Sequence, residues 1–317
     1  KSILRFIENS SDDLRDQYLN FITSLGKSQN KNGRLSEYLE INEGPSLWWM
    51  SLLVEKSPYK SSRIIDCIRL MALEKIVIIH QPKRVVFCLD DRLLADTIRL
   101  MCDRLGIDFS WQHKRNLTLS NVFSTDRFLS FFSKCTALIY LIYYFATRWT
   151  LRAPALRNES SSKDSVFFAS YLFNLDIESA EKGSYYSSQW GDLPELIHQS
   201  GGKTFHLEHF IKSPAIQNPK SAKRIMSLFD HSSAYRFHRF FDGPLSCQVF
   251  LKVVVDYLKL NRKYRELGNV SELFNVPNSE LNLWPILKHD WFCSFTGKTA
   301  VSNLILIDLF GRHMKEI

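Results

Sequence analysis

The sequence predicts an α/β fold in which parallel sheets are flanked by helices. Three observations carry this. Val85-Val86-Phe87-Cys88-Leu89 is a short continuous apolar run, typical of a strand buried on both faces. A helical pattern (Leu93, Leu94, Thr97, Ile98, Met101, Leu105) closed by Gly106 leads from it to a second run, Ile107–Trp111. Ser165–Tyr171 then restarts the same order of elements: Trp190–Pro194 opens a helix through Glu195–Ser200, Gly201-Gly202 ends it, and Thr204–His209 is the next strand. Strand, helix and strand with tight links make a right-handed parallel crossover. Between the two units, Ala153–Lys163 is rich in Pro, Asn and Ser and reads as a linker. The expected division is a first domain over residues 1–152, a linker over 153–164 and a second region over 165–317.

The remaining elements follow in order. Leu14, Tyr18, Phe21, Ile22 and Leu25 recur at helical spacing, and Gly26 ends that run. Ser46–Ser57 holds paired tryptophans and a Glu-Lys pair. Read as a helix capped by Ser46, it places Trp48, Ser51, Leu52 and Glu55 on one face. An aromatic, a hydroxyl and a carboxylate together suit a polar, ring-shaped ligand such as a sugar. The same pattern also suits a buried helix with Trp48 and Trp49 in the core. Ile64, Ile65, Ile68, Met71, Ala72 and Ile76 mark an amphipathic helix that Gln81-Pro82 breaks. Asp90, Asp91, Gln112 and His113 fall at the carboxyl ends of the first two strands, where open α/β sheets bind ligands. Asp91 is equally suited to capping the helix after it. Phe128–Thr147 is the most apolar stretch, with Lys134 its only charge. Its length suits a membrane span. Its serines, Thr136 and three tyrosines suit a buried helix, or one lying in a membrane interface with Trp149 at headgroup level. Further helices are expected over 219–229, 245–260 and about 299–314.

Composition narrows the class. The chain has 317 residues, 45% hydrophobic and 23% charged, the balance of a globular protein with a large core. The formal net charge of +8 favours anionic partners. The basic residues are scattered in pairs with no nucleic-acid-binding signature, so no nucleic-acid partner is expected. Six cysteines without a C-x-x-C pair argue against a disulfide framework and a cysteine zinc site, and for a reducing, cytoplasmic compartment. The absence of an initiator Met and the end at Ile317 directly after a helical pattern suggest a fragment.

Several groups have the right chemistry for a site. In His206-Leu207-Glu208-His209, a strand puts His206 and Glu208 on one face and turns His209 away. That is unlike the H-E-x-x-H zinc helix; a base accepting a proton from a hydroxyl fits better. Asp176, Glu178 and Asp192 surround a loop carrying Tyr185, Tyr186, Ser187, Ser188 and Trp190. These residue types stack on sugar faces and bind hydroxyls, and they also make ordinary ordered loops. Ser294–Thr299 ends in Gly-Lys-Thr, but Phe292 stands where a phosphate loop has its first glycine. What survives is a helix start whose N–H groups could hold a phosphate with help from Lys298.

Four groups of segments, taken together, resemble a family. They are Ser46–Ser51 with Glu55-Lys56-Ser57; Ser170-Tyr171 with Asn174-Leu175-Asp176; Tyr186–Pro194; and Leu283–Lys288 with Asp290-Trp291 and Ser294-Phe295-Gly297. The chain is similar, from about Arg5 to Phe310, to bacterial surface carbohydrate biosynthesis proteins, which are glycosyltransferase-like and serve O-antigen and capsule assembly. The resemblance implies a GT-B-like arrangement of two Rossmann-like domains with a cleft between them. It also implies that members continue past the end of this chain, so that part of the donor site lies elsewhere. The implied partners are a nucleotide-sugar donor and a lipid-linked or growing glycan acceptor, with peripheral contact at the inner face of the cytoplasmic membrane. Glu55 and Asp176 are the expected catalytic carboxylates. Trp48, Ser51, Lys56, Asn174, Trp190, Asp192, Asp290, Ser294 and Lys298 are the expected substrate-binding residues, with Lys56 or Lys298 at the leaving phosphate. GT-B sites commonly hold phosphate on helix N-termini, so neither metal nor cofactor is expected. The alternative is a non-catalytic assembly protein that docks enzymes at the membrane through a degenerate sugar site.

Overall fold

The structure, a computed structural model, describes residues 2–112, 126–153, 165–228 and 236–316 apart from residues 32, 42, 43, 56, 58, 62 and 183. In chain order the helices are α1 (Ile3–Asn9), α2 (Ser11–Lys27), α3 (Leu35–Tyr38), α4 (Arg63–His80), α5 (Arg92–Leu105), α6 (Asp126–Arg148), α7 (Ile177–Glu181), α8 (Leu193–Gln199), α9 (Pro219–Ser227), α10 (Cys247–Leu267), α11 (Trp284–Phe295) and α12 (Lys298–Glu316). The strands are β1 (Gln29–Asn30), β2 (Gly33–Arg34), β3 (Arg84–Phe87), β4 (Asp108–Trp111), β5 (Ser165–Tyr171), β6 (Lys203–His209) and β7 (Arg236–Phe240). The fold is mixed α/β, predominantly helical, with small parallel sheets.

The chain divides into two compact units. One is Lys1–Ile139 with Asp256–Asn303; the other is Tyr140–Val255 with Leu304–Ile317. They are interleaved in sequence rather than consecutive, unlike the expected division at 153–164. Residues 154–164 lie outside the described residues.

In the first unit β3 and β4 pair in parallel, with Val85 opposite Phe109, and α5 crosses between them as expected. Asp91 caps α5, accepting from the N–H groups of Leu93 at 2.9 Å and Leu94 at 3.1 Å. Gly106 ends the helix at φ +67°, a left-handed position that favours glycine. Two strands cannot cover both faces of the apolar run, so Val86 stays 45% exposed, against the expectation of full burial. The unit's core is helical: Leu14, Phe21 and Leu25 of α2, Leu70 and Met71 of α4, and Leu287, Trp291 and Phe295 of α11 are buried. Glu74 of α4 is buried too, and accepts from Ser279 Oγ and the Glu280 N–H, both at 2.6 Å.

In the second unit β5, β6 and β7 form a parallel sheet with β6 central. The strand–helix–strand unit β5–α8–β6 was expected; β7 was not. Leu151, Leu172, Phe210, Ile216, Ile225 and Phe240 are in its core. Asp242, fully buried, accepts from Tyr144 OH at 2.5 Å and pairs with Arg148 at 2.7 Å, and Arg148 also donates to the Phe210 carbonyl at 2.7 Å.

The apolar stretch Phe128–Thr147 lies in α6. Ala137, Leu141, Tyr144 and Phe145 are buried on one face, while Phe131, Leu138, Ile139, Ile142 and Tyr143 are exposed. No helix among the described residues is long and apolar enough to cross a membrane.

Candidate functional site

The two sets of expected site residues meet different fates. In the first unit Trp48, Ser51, Asp290 and Ser294 are buried, while Glu55 is partly exposed and Lys298 is exposed. Ser46 caps a single turn of 3-10 helix, Leu47–Met50, and not the longer helix expected. Ser51 turns extended (φ −77°, ψ 155°), and the Leu52 N–H donates to Ser294 Oγ at 2.9 Å rather than to a helical carbonyl. The predicted face of Trp48, Ser51, Leu52 and Glu55 therefore does not form. Trp48 is buried against Gly26, where an added Cβ would lie 2.6 Å from the indole Nε1. Ser51 and Ser294 are fully buried. Asp290 accepts from Ser61 Oγ, and burial pushes its carboxyl above the usual range, against the hydrogen bond and the charges of His289 and Arg63. Glu55 forms a 2.5 Å ion pair with Lys60, whose hydrogen bond holds the carboxyl below its usual range. Lys56 lies outside the described residues. Lys298 is the exposed first residue of α12. Asp91 at the end of β3 is a cap and an ion-pair partner of Arg63 at 3.3 Å.

In the second unit the carboxyl half of the sheet carries a polar and aromatic cluster. Alternation along β6 sends Thr204, His206 and Glu208 to one face. Register sets Phe168 of β5 and His238 of β7 on either side of His206. The three rings stack as a row across the sheet, Phe168 on His206 at 5.1 Å and His206 on His238 at 4.5 Å between centroids. One step further along, Ser170 lies opposite Glu208 and donates to its Oε2 at 2.8 Å. The segment after β5 folds over this face. Tyr185 packs its ring on His206 at 4.3 Å and on His238 at 4.9 Å, and its hydroxyl donates to Glu208 Oε1 at 3.1 Å. Thr204 Oγ1 bonds His206 Nε2 at 3.1 Å. His206 is 1% exposed and Glu208 2%, while His238 is partly buried. Burial raises the Glu208 carboxyl above the usual range, against the lowering effect of Ser170 and Tyr185. Burial also raises the Tyr185 phenol, with Glu208 adding to it.

His209, next along the chain, points away as expected. It meets Phe241 and Tyr171 edge-on at 5.4 and 5.7 Å, and burial lowers its pKa to about 4.

The other expected residues of this half line the covering segment. Asn174 Nδ2 donates to Gln189 Oε1 at 2.8 Å, and its carbonyl accepts from the Ser188 N–H at 2.8 Å. Trp190 meets Phe168 edge-on at 5.2 Å, with its Nε1 buried and without a hydrogen-bond partner. Asp176 caps α7, accepting from the Glu178 N–H at 3.3 Å and from Ser179 Oγ at 2.7 Å. Asp192 sits exposed at the start of α8 and makes no capping bond. Trp190 thus packs against the cluster, while Asn174 and Asp176 are engaged in the local structure of the segment after β5.

His206, Glu208 and His238 offer ligand atoms that all lie within 4.8 Å of one another, the one group among the described residues arranged to hold a metal ion. The expectation against zinc considered only the spacing within residues 206–209. His238 comes from a neighbouring strand, beyond the reach of a local motif. Comparison of the chain with known protein families, with curated proteins and with solved structures found no match.

Proposed function

We propose that this chain is a glycosyltransferase-like protein of bacterial surface polysaccharide assembly, which transfers a sugar from a nucleotide-activated donor to a lipid-linked or growing glycan. The finer reading of the fold, two Rossmann-like domains in a GT-B-like arrangement, belongs to the same proposal. One observation carries it: a buried carboxylate, Glu208, stands at the carboxyl end of a central parallel strand beneath Tyr185, on a sheet whose Phe168 also meets Trp190. Ligands of open parallel sheets bind at that end. Tyr171, Phe173 and Tyr186 are exposed nearby in sequence and supply faces on which a sugar ring can stack. In this reading Glu208, whose carboxyl burial raises above the usual range, takes the place of Glu55 and Asp176 as the base, and an acceptor hydroxyl reaches it where Tyr185 gives up its hydrogen bond.

The test is a thermal-shift panel of nucleotides and nucleotide sugars, because a ligand of the native state raises its apparent stability. A shift with one nucleotide family supports the reading. Loss of transfer, with binding kept, in Glu208→Gln supports the assigned role. No shift with any nucleotide at millimolar concentration counts against a donor site within these residues.

The membrane-docking alternative has an observation of its own. Phe131, Leu138, Ile139, Ile142 and Tyr143 leave one face of α6 apolar and exposed on a chain of net charge +8. Such a face fits the interface of an anionic bilayer. Sedimentation with anionic vesicles, lost in Ile139→Glu, is its signature.

A further inference from the structure

We propose that His206, Glu208 and His238 form a binding site for a divalent cation of the zinc class. This rests on the geometry of the second unit's sheet and not on the sugar-transfer reading.

Four observations point to a cation. First, the donor set is right. Two imidazoles and one carboxylate are the protein ligands of one class of catalytic zinc site, which leaves a fourth position for water or substrate. Second, the positions are fixed by backbone. His206 and His238 are register partners on adjacent strands, and Glu208 is two residues along the same face. Their ligand atoms lie within 4.8 Å of one another. Tetrahedral coordination at zinc distances separates ligand atoms by roughly 3.4 Å, so closure asks for side-chain rotation without moving a strand.

Third, each buried ligand already has the partner that orients such ligands in metal sites. Thr204 Oγ1 lies 3.1 Å from His206 Nε2, and in the tautomer whose Nε2–H donates to it Nδ1 is the nitrogen left to coordinate. Ser170 and Tyr185 each donate to one oxygen of Glu208. Both hydroxyls leave lone pairs on those oxygens for a cation. Fourth, the carboxylate is 2% exposed, and no lysine or arginine pairs with it among the described residues. A buried carboxylate without a countercharge is costly, and a cation removes that cost. His238 keeps partial exposure and gives the site a side open to exchange with solvent.

A cation on Glu208 withdraws charge from the carboxylate and lowers its basicity, so zinc should slow a transfer that uses Glu208 as its base. Metal binding is read without any sugar, so the two readings fail separately.

The experiment is titration of the chelator-stripped full chain with Co²⁺, followed by its visible d–d absorption, then displacement by Zn²⁺. One Co²⁺ per chain is expected, with no thiolate-to-cobalt band in the near ultraviolet. His206→Ala and His238→Ala should each weaken binding by at least about 100-fold, since loss of a ligand exceeds loss of a supporting partner. Circular dichroism checks that the variants fold, and His238→Ala, at the less buried ligand, carries the test if His206→Ala does not. His289 and Cys293 of α11, with Nε2 and Sγ 3.4 Å apart, are a competing pair. Cys293→Ser should leave binding unchanged. The proposal is overturned if the folded chain takes up no Co²⁺, or if uptake survives the loss of His238 or disappears with Cys293.

Discussion

Both units contain a parallel strand–helix–strand crossover, and the two put opposite chemistry at its carboxyl end. At the end of β3, Asp91 is used up by two N–H groups of α5 and by Arg63. At the end of β6, Glu208 is buried with two hydroxyls and, among the described residues, no lysine or arginine partner. The third strand makes the difference. β3 and β4 alone cannot bury a polar row, whereas β5 and β7 flank β6 on both edges and sink Thr204, His206 and Glu208 into the unit.

Burial of a carboxylate does not by itself mark a site. Glu74 in the first unit is as buried as Glu208, yet it ties α4 to the Ser279–Glu280 turn through a hydroxyl and a backbone N–H. Its role is to join segments distant in sequence. Glu208 has two side-chain partners, and one of them, Tyr185, packs its ring on His206 and His238.

Four perturbations would break or sharpen this contrast. The largest concerns Trp48, which the first unit buries against Gly26. Trp48→Ala should cost about 3–5 kcal/mol in urea unfolding while leaving Co²⁺ uptake intact. Loss of uptake without loss of stability would return Trp48 to the list of site residues. Next, Glu74→Ala removes two charge-assisted hydrogen bonds and should cost about 3 kcal/mol. In metal-free chain Glu208→Gln should stay within about 1 kcal/mol, because it replaces a carboxylate lacking a countercharge by a neutral amide of equal size. Equal losses for the two would erase the distinction.

The third is a pH test in chelator, and it sets neighbours in β6 against each other. The folded pKa of His209 is lowered to about 4, so the native state binds fewer protons than the unfolded chain. Its contribution is fully present above the ordinary histidine range and is lost as pH falls towards about 4, on the order of 3 kcal/mol in all. Glu208 is raised, so its contribution has the opposite slope: it is present at low pH and is lost as pH rises through the folded pKa. His209→Gln should therefore flatten the acid limb of the stability curve, and Glu208→Gln should steepen it. Parallel changes in the two variants would mean that the burial of one of them is misplaced.

What the sequence made legible follows the range of the forces. The crossover over residues 84–111 was readable because its strands, cap and terminal glycine are set by neighbours in the chain. The same holds for β5, α8 and β6, and for the shared face of His206 and Glu208. β7 was not read: Arg236-Phe237-His238-Arg239-Phe240 mixes charge with aromatics and lacks the apolar run of its partners. With it went His238, whose position beside His206 is a fact of register alone. The tryptophan segment misled for a related reason. Its apolar spacing is helical, but Ser294, 242 residues further along the chain, takes the Leu52 N–H and ends the helix after one turn. Periodicity states what a segment can do; distant partners decide what it does.

The smallest effect is also the most decisive for the catalytic assignment. Asp176 caps α7, and its two oxygens accept from the Glu178 N–H and Ser179 Oγ. Such a cap is worth about 1 kcal/mol, so Asp176→Ala should destabilise by that amount and Asp176→Asn, which keeps an acceptor, by much less. Neither should change transfer or Co²⁺ binding if the carboxylate serves only the helix. A proton acceptor behaves otherwise: Asn keeps the cap and loses the base. Transfer abolished in Asp176→Asn, at unchanged stability, would move the chemistry from Glu208 on β6 to the loop that covers it. The buried row of Phe168, His206 and His238 would then be a rigid floor beneath a site built above it, with Asn174 and Trp190 as its walls.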